Sequence, residues 1–249
     1  MYQTKQEIQE WLDLMKIKGQ ISKELEVHPS EGEVRIWTWS AKDNTAGLVQ
    51  HEGKWKLPVQ FAISGVFETD EWGLQSLEGL PHVMLGHLKL TKVDIEDCTG
   101  LPKHVASKSD NGGINYDIEI SSISPLKNLV GMPHVVSLGI RSPLLSIEGI
   151  PSSLEYLTLN TYSDVQSILK ACPKLQMISI MDFNAKTGRP LLVFRSKNIK
   201  RVWFSNTDLD ADGTSQVNKI FNKHLGTPER DIFLCQEELV EAGFKDFAR

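Results

Sequence analysis

The chain has 249 residues, 40% hydrophobic and 24% charged, with a formal net charge of -5 and a pI near 5.8. These values exclude a disordered or collagen-like chain, and the negative balance supplies no general attraction for nucleic acid or anionic lipid. No apolar run reaches the roughly 18 residues of a membrane-crossing helix, and Cys98, Cys172 and Cys235 are too far apart for a disulfide framework or a CxxC metal pair, so three buried reduced thiols are expected.

The opening MYQTKQEIQEWL is polar and then amphipathic, without the apolar stretch of a secretory signal, which makes the cytoplasm the expected location. Thr4 and Glu7 form a capping box, and Ile8, Trp11, Leu12 and Met15 fall on one helical face before Gly19 stops the helix. Val34-Arg35-Ile36-Trp37-Thr38-Trp39 alternates with period two and reads as a first strand. Leu57 to Phe61 and Ile63 to Phe67 follow as an early coil with a small insertion.

From there a repeat organises the chain. Gly-x-Pro recurs at Gly79-Leu80-Pro81, Gly100-Leu101-Pro102, Gly131-Met132-Pro133 and Gly149-Ile150-Pro151, with a degraded copy at Ala171-Cys172-Pro173, so the prolines fall 21, 31, 18 and 22 residues apart. Segments of the L-x-x-L-x-L type follow most of them: Leu85, Leu88, Leu90; Val135, Leu138, Ile140; Leu154, Leu157, Leu159; Leu175, Ile178, Ile180. Ile199, Val202 and Phe204 repeat the pattern once more. Each such segment predicts one short strand whose alternate apolar residues point inward, with glycine and proline turning the chain toward the next coil. The long interval between Pro102 and Pro133 reads as one irregular coil, over 106–130, with a loop at Ser107 to Gly113 and strand-like Ile114, Ile118 and Ile120.

After the repeat comes Asp208-Leu209-Asp210-Ala211-Asp212-Gly213. Its D-x-D-x-D-G order resembles the start of a calcium loop, but the twelfth position, which should be a bidentate glutamate, is Lys219. The preferred reading is that these aspartates cap the next helix, with calcium binding left open. Val217, Ile220, Phe221 and Leu225 mark that helix, and Leu239, Val240, Phe244 and Phe247 a second apolar segment. Exposed ends of a repeat stack need covering. The expected organisation is therefore a helical cap over 1–30, a repeat body over 31–206, and a second helical cap over 207–249.

The segment LPVQFAISGVFETDEWGLQSLEGLPHVMLGHLKL resembles the leucine-rich repeats of tailed-bacteriophage proteins, in which a strand is followed by LxSLxG, a proline and a valine-glycine step. IQEWLDLMKIKGQI and CQEELVEAGFKDFAR are similar to that family's terminal segments, and IPSSLEYLTLN is more weakly similar to the repeats of secreted bacterial effectors. The best match covers 57–105 and the two ends, whereas 106–206 lack the family's recurrent asparagine ladder. The resemblance implies an α/β leucine-rich-repeat solenoid with a parallel concave sheet, a phage-encoded origin and a host protein as partner. It implies no catalytic residues, and 207–249 are too short for the ubiquitin-ligase domain that some effectors carry.

No GxxxxGK[ST], GxGxxG or HExxH string occurs, and no spacing of serine, histidine and aspartate singles out a triad. His82, His104 and His134 follow the repeat prolines and read as surface histidines rather than metal ligands. Function is then expected from the outward strand positions. Lys89, Glu119, Arg141, Tyr156, Asn160, Met177, Arg201 and Trp203 are the candidate partner-binding residues, because aromatic residues, methionine and arginine are the types enriched at interfaces. Asp117, Ser137, Gly139, Thr158, Ser179 and Met181 share that outward phase. The expectation is a monomeric, non-enzymatic binder of a host protein with no cofactor, metal, nucleic acid or membrane partner. A virion structural component, or an enzyme whose site is not legible in the sequence, is the alternative.

Overall fold

The computed structural model describes residues 25–30, 40–42, 45–47, 60–69, 83–105, 116–160 and 164–249, together with Gln6, Glu10, Asp13, Gln75 and Leu77. Gln6, Glu10 and Asp13 are helical and exposed, as the polar side of the expected first helix requires. Trp11, Leu12 and Met15, the first strand expected at Val34 to Trp39, and the loop Ser107 to Gly113 lie outside the described residues.

The architecture is α/β, built on one large sheet. Its strands are β1 (Leu25–Ser30), β4 (Gln60–Thr69), β5 (Val83–Val93), β6 (His104–Val105), β7 (Ile118–Ser122), β8 (Ser137–Pro143), β9 (Tyr156–Asn160), β10 (Met177–Met181) and β11 (Arg201–Phe204). β2 (Ser40–Lys42) and β3 (Thr45–Gly47) form a separate antiparallel pair. The main order is β1-β4-β5-β7-β8-β9-β10-β11, and every pairing from β4 onward is parallel. β1 departs from the expected helical cap over 1–30: it is a strand, antiparallel to β4, with Leu25 opposite Gly65 and Ser30 opposite Gln60.

The register explains the repeat. Leu88, Ile118, Leu138, Leu157, Ile178 and Val202 are successive partners, and so are Leu90, Ile120, Ile140, Leu159, Ile180 and Phe204. All twelve are at most 1% exposed, so the inward positions form two unbroken apolar columns. The segments returning between strands add Leu129, Leu144, Ile168, Leu175 and Val193 to the same buried cluster. Among the described residues they carry helix only late in the chain: α1 (Val165–Ala171) before β10, and the short α2 (Ala185–Gly188) with a 3-10 turn (Pro190–Arg195) before β11.

The three described Gly-x-Pro copies each close a turn in which the middle residue's N-H reaches the carbonyl three positions back: Leu101 to Cys98, Met132 to Leu129 and Ile150 to Ile147. Gly131 and Gly149 have φ of 90° and 85°, and a Cβ would lie 2.6 Å from the Cys98 carbonyl oxygen and 2.4 Å from that of Leu129. Glycine is required there twice over, by backbone sign and by contact with the preceding coil. The irregular coil also has a geometric cause. β5 is eleven residues long, and its free edge takes β6 at Val83 and Met84 and then β7 from Leu88 onward, so the chain leaves and returns within one interval.

β11 would be an open edge, and α3 (Ala211–Leu225) closes it. Asn218 accepts from Phe204 N-H at 2.8 Å and donates to Phe204 O at 2.8 Å, while Asn222 does the same for Val202 at 2.8 and 2.9 Å. Each amide thus stands in for a peptide of a missing strand. The fit follows from pitch, since four helical residues rise about 6 Å and two strand residues about 6.7 Å. Phe221 and Phe247 close over Phe204, at centroid distances of 5.3 and 5.8 Å. The acidic string does what the capping reading expects: Asp210 is the N-cap of α3, accepting from Gly213 N-H at 2.7 Å, with Asp212 in the first turn.

α4 (Ile232–Glu241) packs on α3. Glu238 joins them, accepting from Lys223 Nζ and His224 Nε2 at 2.7 Å each, and these two hydrogen bonds hold its carboxyl below the usual range. Arg230 donates to the carbonyls of Ser196, Lys197 and Ile199, tying the turn before α4 to the strand-leading loop. Cys98, Cys172 and Cys235 are all buried and free; burial pushes their thiols up to about 12, 11 and 12, the neighbouring charge of Asp97 adding to the effect at Cys98.

Asn218→Ala is expected to leave the buried Phe204 N-H and C=O without partners and to lower unfolding stability by about 1–3 kcal/mol. Urea denaturation with an unchanged midpoint would refute the edge-closing role.

Candidate interaction face

The face of the sheet opposite the core is built by the positions between the buried columns. On β10 the alternation is complete: Ile178 and Ile180 are fully buried, whereas Met177, Ser179 and Met181 are half-buried. All eight candidate residues lie on this side, in two groups.

The first group is charged. Lys89 on β5 is the register partner of Glu119 on β7, and Glu119 forms an ion pair with Arg141 Nε on β8. The second group is apolar with one cation. Tyr156, Met177 and Arg201 are successive partners across β9, β10 and β11, and Trp203, half exposed at 50%, is the partner of Ser179. Asn160, at the end of β9, donates from Nδ2 to Arg141 O at 3.2 Å, linking the two groups.

Some outward-phase residues turn out not to belong to the exposed face. Asp117 is 5% exposed: its Oδ2 accepts from Val136 and Ser137 N-H at 2.7 and 2.9 Å, and its own N-H donates to Ser137 Oγ at 2.8 Å. β7 begins only at Ile118, so the period-two rule does not reach Asp117, and its carboxylate turns to satisfy the start of β8 instead. Ser137 and Thr158 are likewise buried, at 6% each.

Tyr116 takes the place that Asp117 leaves. A Cβ on Gly139 would lie 3.1 to 3.2 Å from the Tyr116 ring, which places the ring over that glycine on the outer side, and the Tyr116 hydroxyl is 2.6 Å from Thr158 Oγ1. His87 Nδ1 lies 2.8 Å from Tyr116 O. The sequence signal for Tyr116 points the wrong way, because residue 116 has the inward phase of Ile118. The usable signal is Gly139, a glycine in mid-strand, which marks a close approach by another group.

Glu155, Gln176 and Lys200 form a second row just before the strands: Lys200 Nζ donates to Gln176 Oε1 at 3.1 Å, and Gln176 Nε2 to Glu155 Oε2 at 2.8 Å. Among the described residues no group of three or more histidine, cysteine, aspartate or glutamate side chains could hold a metal ion, and no helix is long and apolar enough to cross a membrane. His104 and His134 are exposed neighbours across a parallel bridge, whereas His82 lies outside the described residues.

No protein-family model matches the chain, and comparison with curated proteins and with solved structures gives no significant match.

Burial separates two neighbouring carboxylates on this face. Asp117→Ala is expected to lower stability by about 1–3 kcal/mol, because two backbone N-H groups lose their acceptor. Glu119→Ala, which removes one partner of the surface ion pair with Arg141, should change it by less than about 1 kcal/mol. Equal losses in chemical denaturation would contradict the assignment of Asp117 to the framework.

Proposed function

We propose that the chain is a leucine-rich-repeat solenoid acting as a non-enzymatic protein-binding module, phage-encoded and directed at a host protein through the outer face of its parallel sheet. The repeat phase supports the solenoid: Gly-x-Pro turns, inward columns and edge caps are the parts that such a stack needs. The phage origin and the host partner rest on the resemblance of 57–105 and of the two ends to tailed-bacteriophage repeats.

One observation carries the binding role. The outer face presents Tyr156, Met177, Arg201 and Trp203 on three adjacent strands whose backbones are fixed by register. A half-exposed tryptophan beside tyrosine, methionine and arginine has the composition of an interface hot spot, and a rigid sheet loses little conformational entropy on binding. The partner is a protein, the chain acts as a monomer, and its place of action is the host cytoplasm.

The test is a pair of substitutions measured against a partner purified from host extract. Tyr156→Ala with Trp203→Ala should weaken binding at least about tenfold per hot spot lost while the circular dichroism stays unchanged. Leu145→Ala, at a position 68% exposed and beyond the end of β8, should leave affinity as it is. Full affinity in the double variant would overturn the proposal.

A further inference from the structure

The outer face has a small side chain at Ser179, and that position with its neighbours is here called the seat. Along β10 it is bounded by Met177 and Met181, and across the sheet by Thr158 on one side and Trp203 on the other. With strands about 4.8 Å apart and residues rising about 3.3 Å along a strand, the frame measures about 10 Å by 13 Å between Cα atoms. The floor is small, and among the described residues the Ser179 hydroxyl makes no hydrogen bond. On the β9 side Tyr116 closes the seat, its hydroxyl held on Thr158 and its ring over Gly139. On the β11 side stands the exposed Trp203 indole. Two thioethers and an indole make an adaptable apolar lining.

Arg201 stands at the rim as the register partner of Met177. It is exposed and has no ion-pair partner among the described residues, whereas Arg141 on the same face is held by Glu119. An uncompensated guanidinium beside an apolar seat is matched by a carboxylate, which it can grip through two parallel hydrogen bonds.

We propose that this seat takes an extended peptide segment of the partner, with a large apolar side chain lodged over Ser179 and a neighbouring aspartate or glutamate paired with Arg201. This inference rests on the outer face being the binding surface and assigns the part of that face which selects the ligand.

The probe is an array of immobilised nonapeptides in which the central residue is Gly, Leu, Phe or Tyr and its neighbour is Asp, Glu, Ser or Lys. The full chain should be retained on spots combining an apolar centre with Asp or Glu at least about tenfold more than on the Gly-centred or Lys-bearing spots. Arg201→Glu should move the preference to Lys, and Ser179→Trp, which fills the seat, should abolish retention with the circular dichroism unchanged. Retention on no spot, or a preference that neither variant alters, overturns the seat. If instead Lys89→Ala with Arg141→Ala removes retention, the seat is wrong and the outer face stands. If spots are retained and no substitution on that face matters, the proposed function falls with it.

Discussion

Parallel register is the constraint on which the rest depends. Once β8, β9, β10 and β11 are paired in step, every inward side chain stacks on its counterpart in the next coil, and Leu138, Leu157, Ile178 and Val202 become one column. A slip of one residue would turn all of these outward and bury Met177, Ser179 and Trp203 instead. The turns enforce the step. Gly131 and Gly149 sit so close to the preceding backbone that a side chain there would push neighbouring coils apart.

The same constraint creates two exposed consequences. The first is an edge, since a stack of strands must end somewhere with unpaired peptides. Asn218 and Asn222 answer it at β11 with amides at the spacing of strand peptides, and the aromatic contacts of Phe204 with Phe221 and Phe247 extend the core into the cap. The second is a face that the core does not use. Its charged half is internally compensated through Glu119 and Arg141, while its other half leaves Arg201 and Trp203 exposed. That asymmetry concentrates the proposed recognition at the β9 to β11 end.

The inward columns were legible in the sequence because they depend on spacing alone: Leu157 with Leu159 and Ile178 with Ile180 have the same two-residue step, beginning six residues after Pro151 and five after Pro173. The capping role of Asp210 was legible for the same local reason. What escaped depends on contacts between coils. The exchange of Asp117 for Tyr116 on the outer side occurs one residue before β7 starts, where periodicity has no force. Asn218 lies beside Val217 on an amphipathic helix, and apolar spacing alone gives no reason for a buried amide there. The antiparallel β1 was hidden because its six residues fall within 1–30, where an amphipathic helix and the need to cover the end of the stack both point to a helical cap.

Methyl nuclear Overhauser spectroscopy on protein labelled at isoleucine, leucine and valine tests the register most directly. Parallel pairing in step predicts cross-peaks between Leu157 and Ile178, between Leu159 and Ile180, and between Ile178 and Val202. Cross-peaks joining Leu157 to Ile180 and Leu159 to Ile178 in their place would mean antiparallel strands, and both the columns and the outer face would have to be abandoned.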